Sequence, residues 1–169
     1  SSSSTLVFPV LYIMAPATDP GFKFAPGKEW VGDFGVNGTA TNGVYAKGGE
    51  NLTVSTAGYY MVYVDLKAEK ISVTPAEVYL IGAVINNVWD YAASAGKFTV
   101  NNSAKTITSP SCTAGNLRMY VTCPLSQLDT PKGDWWQTEF IVINGKIEYR
   151  GGGGDQATVN VTTGQKVIL

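Results

Sequence analysis

The sequence feature that most constrains the fold is the run at residues 59–66 (YYMVYVDL), which contains neither glycine nor proline. Successive side chains of a β-strand point to opposite faces, so Tyr60, Val62, Val64 and Leu66 would share one face and the intervening residues the other. Aromatic and β-branched residues dominate the run, and these residues are enriched in strands. The run therefore predicts a β-strand.

Shorter runs of the same character recur along the chain between residues that favour turns. They lie at residues 10–14, 78–81, 117–121, 139–143, 146–150, 159–161 and 166–169. Asn144 and Gly145 separate two of these runs, and this dipeptide is the strongest short signal of a β-hairpin. No segment has the periodicity of an amphipathic helix, so the sequence predicts an all-β fold.

Charge and hydropathy narrow the class of function. The chain has 12 Lys and Arg residues against 13 Asp and Glu residues, a formal net charge of -1. No cluster of basic residues suggests the positive face that nucleic-acid-binding proteins carry. No apolar run reaches the roughly 20 residues that a membrane-spanning helix needs. The sequence therefore predicts neither a nucleic-acid partner nor a transmembrane helix.

The chain has two cysteines, Cys112 and Cys123, and no histidine. They lack the C-x-x-C spacing of common zinc sites, so we expect no metal site and no cofactor. The two cysteines flank a short turn predicted at residues 113–116. A disulfide across a hairpin and two free thiols in an apolar layer are both compatible with this position.

The chain also repeats itself loosely, which indicates two modules. In the first half, Trp30 is followed by a glycine-containing turn and a strand. In the second half, Trp135 and Trp136 are followed by the same features at a similar spacing. The stretch around Pro75 separates the halves. We therefore expect two small β-sandwich modules, the first abbreviated or incomplete at its N-terminal side, at residues 1–75 and 76–169.

Four segments together resemble the repeating module of SusE/SusF-like lipoproteins. They are residues 21–30 (GFKFAPGKEW), 48–52 (GGENL), 57–66 (AGYYMVYVDL) and 74–82 (TPAEVYLIG). The likeness is closer over residues 21–90 than over residues 91–169, where Leu-Arg-Met at 117–119 replaces Phe-Lys-Phe. Members of this family are outer-membrane glycan-binding proteins of polysaccharide-utilisation systems, built from tandem immunoglobulin-like β-sandwich carbohydrate-binding modules.

This resemblance implies what the protein does and where it acts. It implies non-catalytic binding of a surface polysaccharide, with starch or another α-glucan expected first and another plant or host glycan otherwise. It also implies a location on the outside of the outer membrane, a lipid anchor outside this sequence, and other glycan-uptake proteins as partners. Because that compartment is oxidising, it favours a disulfide between Cys112 and Cys123.

The resemblance also implies where sugar binds, because the family's modules typically use two aromatic side chains, a basic side chain and an Asn or Asp. In the second module the matching residues are Trp89, Trp135 or Trp136, Arg118, and Asp155 or Gln156. In the first module they are Lys23, Trp30 and Asn51, without an early aromatic partner. We therefore expect the better glycan site in the second module, with Arg in place of the usual Lys.

The chemistry of a sugar ring explains the role of the indoles. A sugar has an apolar face of C–H groups, which an indole can cover, and a rim of hydroxyls, which charged side chains can bind. Two indoles set at an angle follow the curve of a helical glucan, whereas a flat row suits a straight chain.

Each candidate residue also has a purely structural interpretation. One indole of the pair at 135–136 would fill the core and the other would cap a loop, since neighbouring strand residues face opposite ways. Trp89 lies in a polar loop, and the apolar context of Trp30 favours the core. Arg118 and Lys23 alternate with apolar neighbours, as solvated strand positions do.

Two other classes of function fit an all-β chain of this kind. A glycoside hydrolase needs two positioned carboxylates, and the candidates are Asp90, Asp129, Asp134, Glu139, Glu148 and Asp155. None lies in a recognisable motif, and the absence of histidine removes mechanisms that need a catalytic triad. A structural or adhesive β-sandwich would use the same strands with its tryptophans buried. Non-catalytic glycan binding is the preferred interpretation.

Overall fold

The computed structural model of the protein describes residues 6–7, 10–14, 21–25, 27–37, 43–65, 69–122, 135–150 and 159–169. Within these residues, regular structure consists of 14 β-strands and three 3₁₀ helices of three or four residues each. The all-β fold predicted from the sequence is therefore confirmed. The chain divides into two compact units, Ser1–Ala76 and Glu77–Leu169, and this boundary lies beside Pro75.

The first unit is built on one antiparallel sheet. Its strands are β1 (Leu6–Val7), β2 (Val10–Ile13), β3 (Phe34–Asn37), β4 (Gly43–Lys47), β5 (Gly58–Asp65) and β6 (Lys70–Pro75). The strand order is β1-β5-β6-β4-β3, and β2 also pairs with β5. β5 and β6 are in register from Tyr60 opposite Pro75 to Asp65 opposite Lys70.

The core of the first unit lies on one face of this sheet. Its buried members are Val36, Leu52, Val54, Val62, Val64, Ile71 and Val73. Val62 and Val64 alternate along β5 as the sequence pattern predicts. Met61 and Tyr63, which point to the opposite face, are also buried. β5 is therefore covered on both faces, which explains why its sequence is apolar at nearly every position.

The strands of the second unit are β7 (Val78–Leu80), β8 (Thr99–Asn101), β9 (Thr106–Thr108), β10 (Gly115–Asn116), β11 (Met119–Val121), β12 (Glu139–Ile143), β13 (Lys146–Tyr149) and β14 (Asn160–Val161). They form a four-stranded antiparallel sheet of order β13-β12-β11-β7 and two further two-stranded ladders, β8-β9 and β10-β14. Its 3₁₀ helices are Ala83–Ile85, Ser94–Gly96 and Trp135–Thr138.

The hairpin predicted at Asn144 and Gly145 is present. β12 and β13 pair from Phe140 opposite Tyr149 to Ile143 opposite Lys146. Asn144 and Gly145 have φ angles of 50° and 76°. A two-residue turn of the type that matches the twist of paired strands needs positive φ at both positions, which Asn and Gly tolerate best.

The structure differs from the sequence predictions around the cysteines and the C-terminus. Cys112 is a buried free thiol, not half of the favoured disulfide, and Cys123 lies outside the described residues. Gly115 and Asn116, predicted in a turn, form β10. The residues predicted as a strand at 166–169 form no regular strand, but they lie antiparallel to β9 with a bridge between Ile168 and Thr108. Backbone hydrogen bonds also join Leu169 to Ile107 and Val167 to Ser109. No helix among the described residues is long and apolar enough to cross a membrane.

Candidate functional site

Trp89 and Trp135 lie side by side in the second unit. Their ring centroids are 6.1 Å apart and their ring planes are inclined by 42°. Trp89 is 51% exposed, and Trp135 is partly exposed. Trp135 begins the 3₁₀ helix Trp135–Thr138, which the hydroxyl of Thr138 ties to β11 by donating to the carbonyl of Val121 at 2.5 Å. We call these two indoles the platform.

The loop that carries Trp89 packs the indole against Gly82. The backbone N–H of Gly82 donates to the carbonyl of Val88 at 2.7 Å, and a Cβ on Gly82 would lie 2.7 Å from the Trp89 ring. Gly82 also has a φ of 80°, which L side chains rarely adopt. Only glycine therefore lets the indole lie this close to the backbone.

Tyr120 supports the platform from beneath. It is fully buried, and its ring centroid lies 5.9 Å from that of Trp135. Its hydroxyl oxygen accepts a hydrogen bond from the backbone N–H of Ala92 at 2.6 Å, and its ring also contacts Tyr79 and Tyr91. Burial raises the pKa of Tyr120 to about 12, so the phenol is neutral at physiological pH.

Arg118 lies against the platform and is held by a buried carboxylate. Its Nε and Nη2 donate to the two oxygens of Glu139 at 2.7 and 3.0 Å. Its guanidinium carbon lies 4.8 Å from the centre of the Trp135 ring. The side chain of Arg118 is 19% exposed and that of Glu139 is fully buried. Arg118 is therefore a fixed part of this cluster and not a solvated strand position.

Trp136 lies against a different arginine from the one that lies against Trp135. Its ring lies 5.6 Å from the guanidinium carbon of Arg150, and Arg150 is only 8% exposed. The two tryptophans lie on a 3₁₀ helix, where successive side chains are separated by about a third of a turn. The structure therefore brings Trp135, and not Trp136, next to Trp89.

The remaining residues predicted for the second module, Asp155 and Gln156, lie outside the described residues. Their part in the site stays a prediction. Three residues that sequence reasoning did not assign to a binding site do belong to the cluster around the platform: Gly82, Tyr120 and Glu139. Glu139 had a visible signal, because a carboxylate in the otherwise apolar run EFIVI must find a partner if it is buried.

In the first unit, the three predicted residues, Lys23, Trp30 and Asn51, line one open pocket of about 460 Å³. Gly21, Phe22 and Asp33 complete its lining. Trp30 is 73% exposed, so the expectation that it lies near the core is wrong. Lys23 Nζ lies 3.1 Å from a carboxylate oxygen of Asp33. Sequence reasoning missed Asp33, because no local pattern links it to Lys23.

Residues 77–169 match the sequence model of a family described as SusF/SusE starch specific CBMs, that is, carbohydrate-binding modules. The chain belongs to the SusF/SusE family. The match covers the whole second unit, including the platform, Arg118 and Glu139.

A relative and a solved structure extend this likeness to both units. The chain is 38% identical over 164 residues to outer membrane protein SusF of Bacteroides thetaiotaomicron, a match that covers 90% of this chain and 33% of SusF. The crystal structure of SusF from the same organism matches with a TM-score of 0.73 and 33% identity, over 97% of this chain and 37% of that chain. The chain thus spans about a third of SusF. The predicted family and β-sandwich fold class are confirmed.

Proposed function

We propose that this chain binds an α-glucan such as starch, without cleaving it, on the platform of Trp89 and Trp135. The inclination of 42° between the two ring planes carries the proposal. A helical glucan turns successive sugar rings through an angle, so each of two tilted indoles can cover one apolar ring face. A straight glucan chain presents its rings in a flat row, which two tilted indoles fit less well.

The comparisons support the same ligand class. The description of the family names starch, and the matched residues 77–169 include both indoles. SusF is named an outer membrane protein, in agreement with the outer-membrane location predicted for this chain. We extend the proposal to a lipid-anchored protein that faces outwards and acts with other glycan-uptake proteins.

Arg118 supplies the polar part of the proposed site. A guanidinium has five N–H donors, and two of those of Arg118 bond to Glu139. The side chain keeps part of its surface exposed beside Trp135. A sugar stacked on the platform would bring its hydroxyl rim to this group. Asp155 or Gln156 would complete the polar contacts.

The carboxylates support binding rather than hydrolysis. Glycosidases use two carboxyl groups that flank the bond to be cleaved, roughly 5–10 Å apart. Glu139 is fully buried and paired with two guanidinium groups, so it cannot reach a sugar. Asp90 and Glu148 are exposed and no described contact brings them together. Asp129, Asp134 and Asp155 lie outside the described residues.

We expect maltoheptaose to change the tryptophan fluorescence of the protein in a saturable way, with a Kd between micromolar and millimolar. The reason is that the platform indoles would pass from water to contact with sugar. Cellohexaose, a straight glucan of similar length, is the matched control and should bind at least about tenfold more weakly. Fluorescence titration with both sugars measures the difference.

The same titration separates the competing functions. An unchanged spectrum with both sugars, and with a wider panel of plant and host glycans, would favour a structural or adhesive module. New reducing ends released from maltoheptaose or starch during prolonged incubation would show that the chain is a hydrolase. Preference for cellohexaose would keep glycan binding and reject the α-glucan assignment.

The pocket of the first unit is a second candidate site, which we propose binds the same glycan more weakly. Exposed Trp30, Lys23 and Asn51 all line it, as the family resemblance predicts. It offers one indole instead of two, so less apolar sugar surface can be covered.

We expect Trp30→Ala to remove the weak glycan binding that remains when the platform is lost. The comparison is made in the Trp89→Ala background, by calorimetric titration with maltoheptaose. The melting temperature should hardly change, because Trp30 is 73% exposed and exposed substitutions usually alter stability by less than about 0.5 kcal/mol. The neighbouring Val31→Ala, also exposed, is the control and should leave binding intact. Equal residual binding in both variants would reject the second site.

A further inference from the structure

Glu139 is a buried carboxylate at the start of β12, whose other residues are apolar. Its side chain has no exposed surface. A carboxylate is expensive to remove from water unless it is paired and hydrogen-bonded. Here it lies between two guanidinium groups, with Arg118 Nε 2.7 Å from one oxygen and Arg150 Nε 3.1 Å from the other. Glu139 thus accepts hydrogen bonds from Arg118 and forms an ion pair with Arg150.

Each of these guanidinium groups lies against one indole of the tandem pair. Arg118 is 4.8 Å from the ring centre of Trp135, and Arg150 is 5.6 Å from that of Trp136. Cation–π attraction operates within about 6 Å of a ring centre. The same carboxylate therefore pairs with both cations, and each cation lies over one ring of the tandem pair.

The geometry of the Arg118 pair restricts rotation as well as position. Two roughly parallel N–H···O bonds join the planar guanidinium to the planar carboxylate, and such a fork fixes the guanidinium plane. A side chain that is fixed before the ligand arrives loses less conformational freedom on binding. Arg118 is thus pre-oriented beside Trp135.

The first unit contains a parallel arrangement. Lys23, its candidate polar contact, is paired with Asp33 at 3.1 Å, and both side chains are about 80% covered, with exposures of 20% and 19%. In each unit, then, the candidate basic residue is held by a carboxylate from another part of the sequence. The pairing in the second unit is the more buried of the two.

We propose that Glu139 is a positioning residue of the glycan site. It holds the guanidinium of Arg118 against Trp135, so the stacking surface and the hydrogen-bond donors are in place before the sugar binds. This inference rests on the proposed function. Glu139 does not touch the glycan and acts only through Arg118.

A double-mutant cycle tests the proposal. Affinity for maltoheptaose is measured by calorimetry for the parent, Glu139→Gln, Arg118→Met and the double variant. If Glu139 acts through Arg118, Glu139→Gln weakens binding about tenfold in the parent, as expected for residues in direct contact, but by less than about twofold when Arg118 is already Met. An unchanged affinity of Glu139→Gln, or an equal loss in both backgrounds, would overturn the positioning role.

Glu139→Gln removes the carboxylate from two covered guanidinium groups, so this variant is expected to melt at a lower temperature. If it does not fold, Glu139→Gln/Arg150→Met replaces it and is compared with Arg150→Met alone. This pair removes one buried positive charge together with the negative one. Because Arg118 is present in both variants, we expect Glu139→Gln/Arg150→Met to show the same tenfold loss of affinity relative to Arg150→Met. Equal affinity of the two variants would overturn the proposal.

The free protein gives a second readout that needs no ligand. Near-ultraviolet circular dichroism reports the surroundings of the aromatic side chains, Trp89 and Trp135 among them, and Glu139→Gln should alter the spectrum as Arg118→Met does. An unaltered spectrum would overturn the positioning role even if the parent binds sugar. If the parent binds no glycan and Glu139→Gln still alters the spectrum, the proposed function is overturned instead.

Discussion

Replacing Trp89 with alanine should weaken maltoheptaose binding by at least about 2 kcal/mol, roughly 30-fold in Kd, as loss of a central aromatic anchor does. Trp135→Ala should have an effect of the same size. The reason is that each indole would cover one sugar face, and a sugar held by a single indole loses half of its stacking surface. Calorimetric titration of the two variants measures the loss.

Thermal melting separates this effect from general damage to the fold. Trp89 is half exposed, so its removal leaves little cavity and should cost about 1 kcal/mol of stability or less. Trp136→Ala is the matched control, since its ring contacts Arg150 and not the platform, and it should bind nearly as well as the parent. If Trp89→Ala and Trp135→Ala bind like the parent, the platform does not exist.

Local rules predicted the parts of the fold that depend on neighbouring residues. The hairpin at Asn144 and Gly145 follows from the preference of these two residues for positive φ. β5 follows from an uninterrupted apolar run. β3 and β4 were missed because their sequences, FGVN and GVYAK, are short and contain glycine, and their pairing comes from contacts across the sheet.

The candidate site was only partly predictable for the same reason. The family resemblance selected Trp89, Trp135 and Arg118, and the structure brings these three together. The resemblance does not distinguish Trp135 from Trp136, because the directions of these two side chains depend on the 3₁₀ helix that carries them. Glu139 is 21 positions from Arg118, so no local spacing rule links them.

Tyr120 is the residue beneath the platform whose loss should destabilise the fold most. Tyr120→Ala empties a fully buried aromatic position, which typically costs about 3–5 kcal/mol. Tyr120→Phe keeps the ring and loses only the hydroxyl that accepts from Ala92, so we expect a cost of about 1–2 kcal/mol at neutral pH. Urea denaturation measures both, and equal stability of the two variants would contradict this view of the packing.

Alkaline pH should close the difference in unfolding free energy between the parent and Tyr120→Phe, and reverse it towards pH 12. The pKa of Tyr120 is raised from 10.0 to about 12 by burial, whereas in the unfolded chain it returns to about 10. Between these two pH values the unfolded chain loses the phenol proton and the native state keeps it, so the free energy of unfolding falls as pH rises. Summed over the window, the loss amounts to roughly 2–3 kcal/mol. Phenylalanine has no phenol proton to lose, so the free energy of unfolding of Tyr120→Phe should not fall by this amount.

Urea denaturation of both proteins at several pH values from 8 to about 11.5 tests this prediction. This range covers most of the interval between the pKa of Tyr120 in the unfolded chain and its pKa in the native state. Other tyrosines contribute equally to both proteins, so the difference between the two curves isolates Tyr120. The free energy of unfolding of the parent should therefore fall more steeply with pH than that of Tyr120→Phe. If the two curves run parallel instead, the buried phenol does not remain protonated above pH 10 and the raised pKa is wrong.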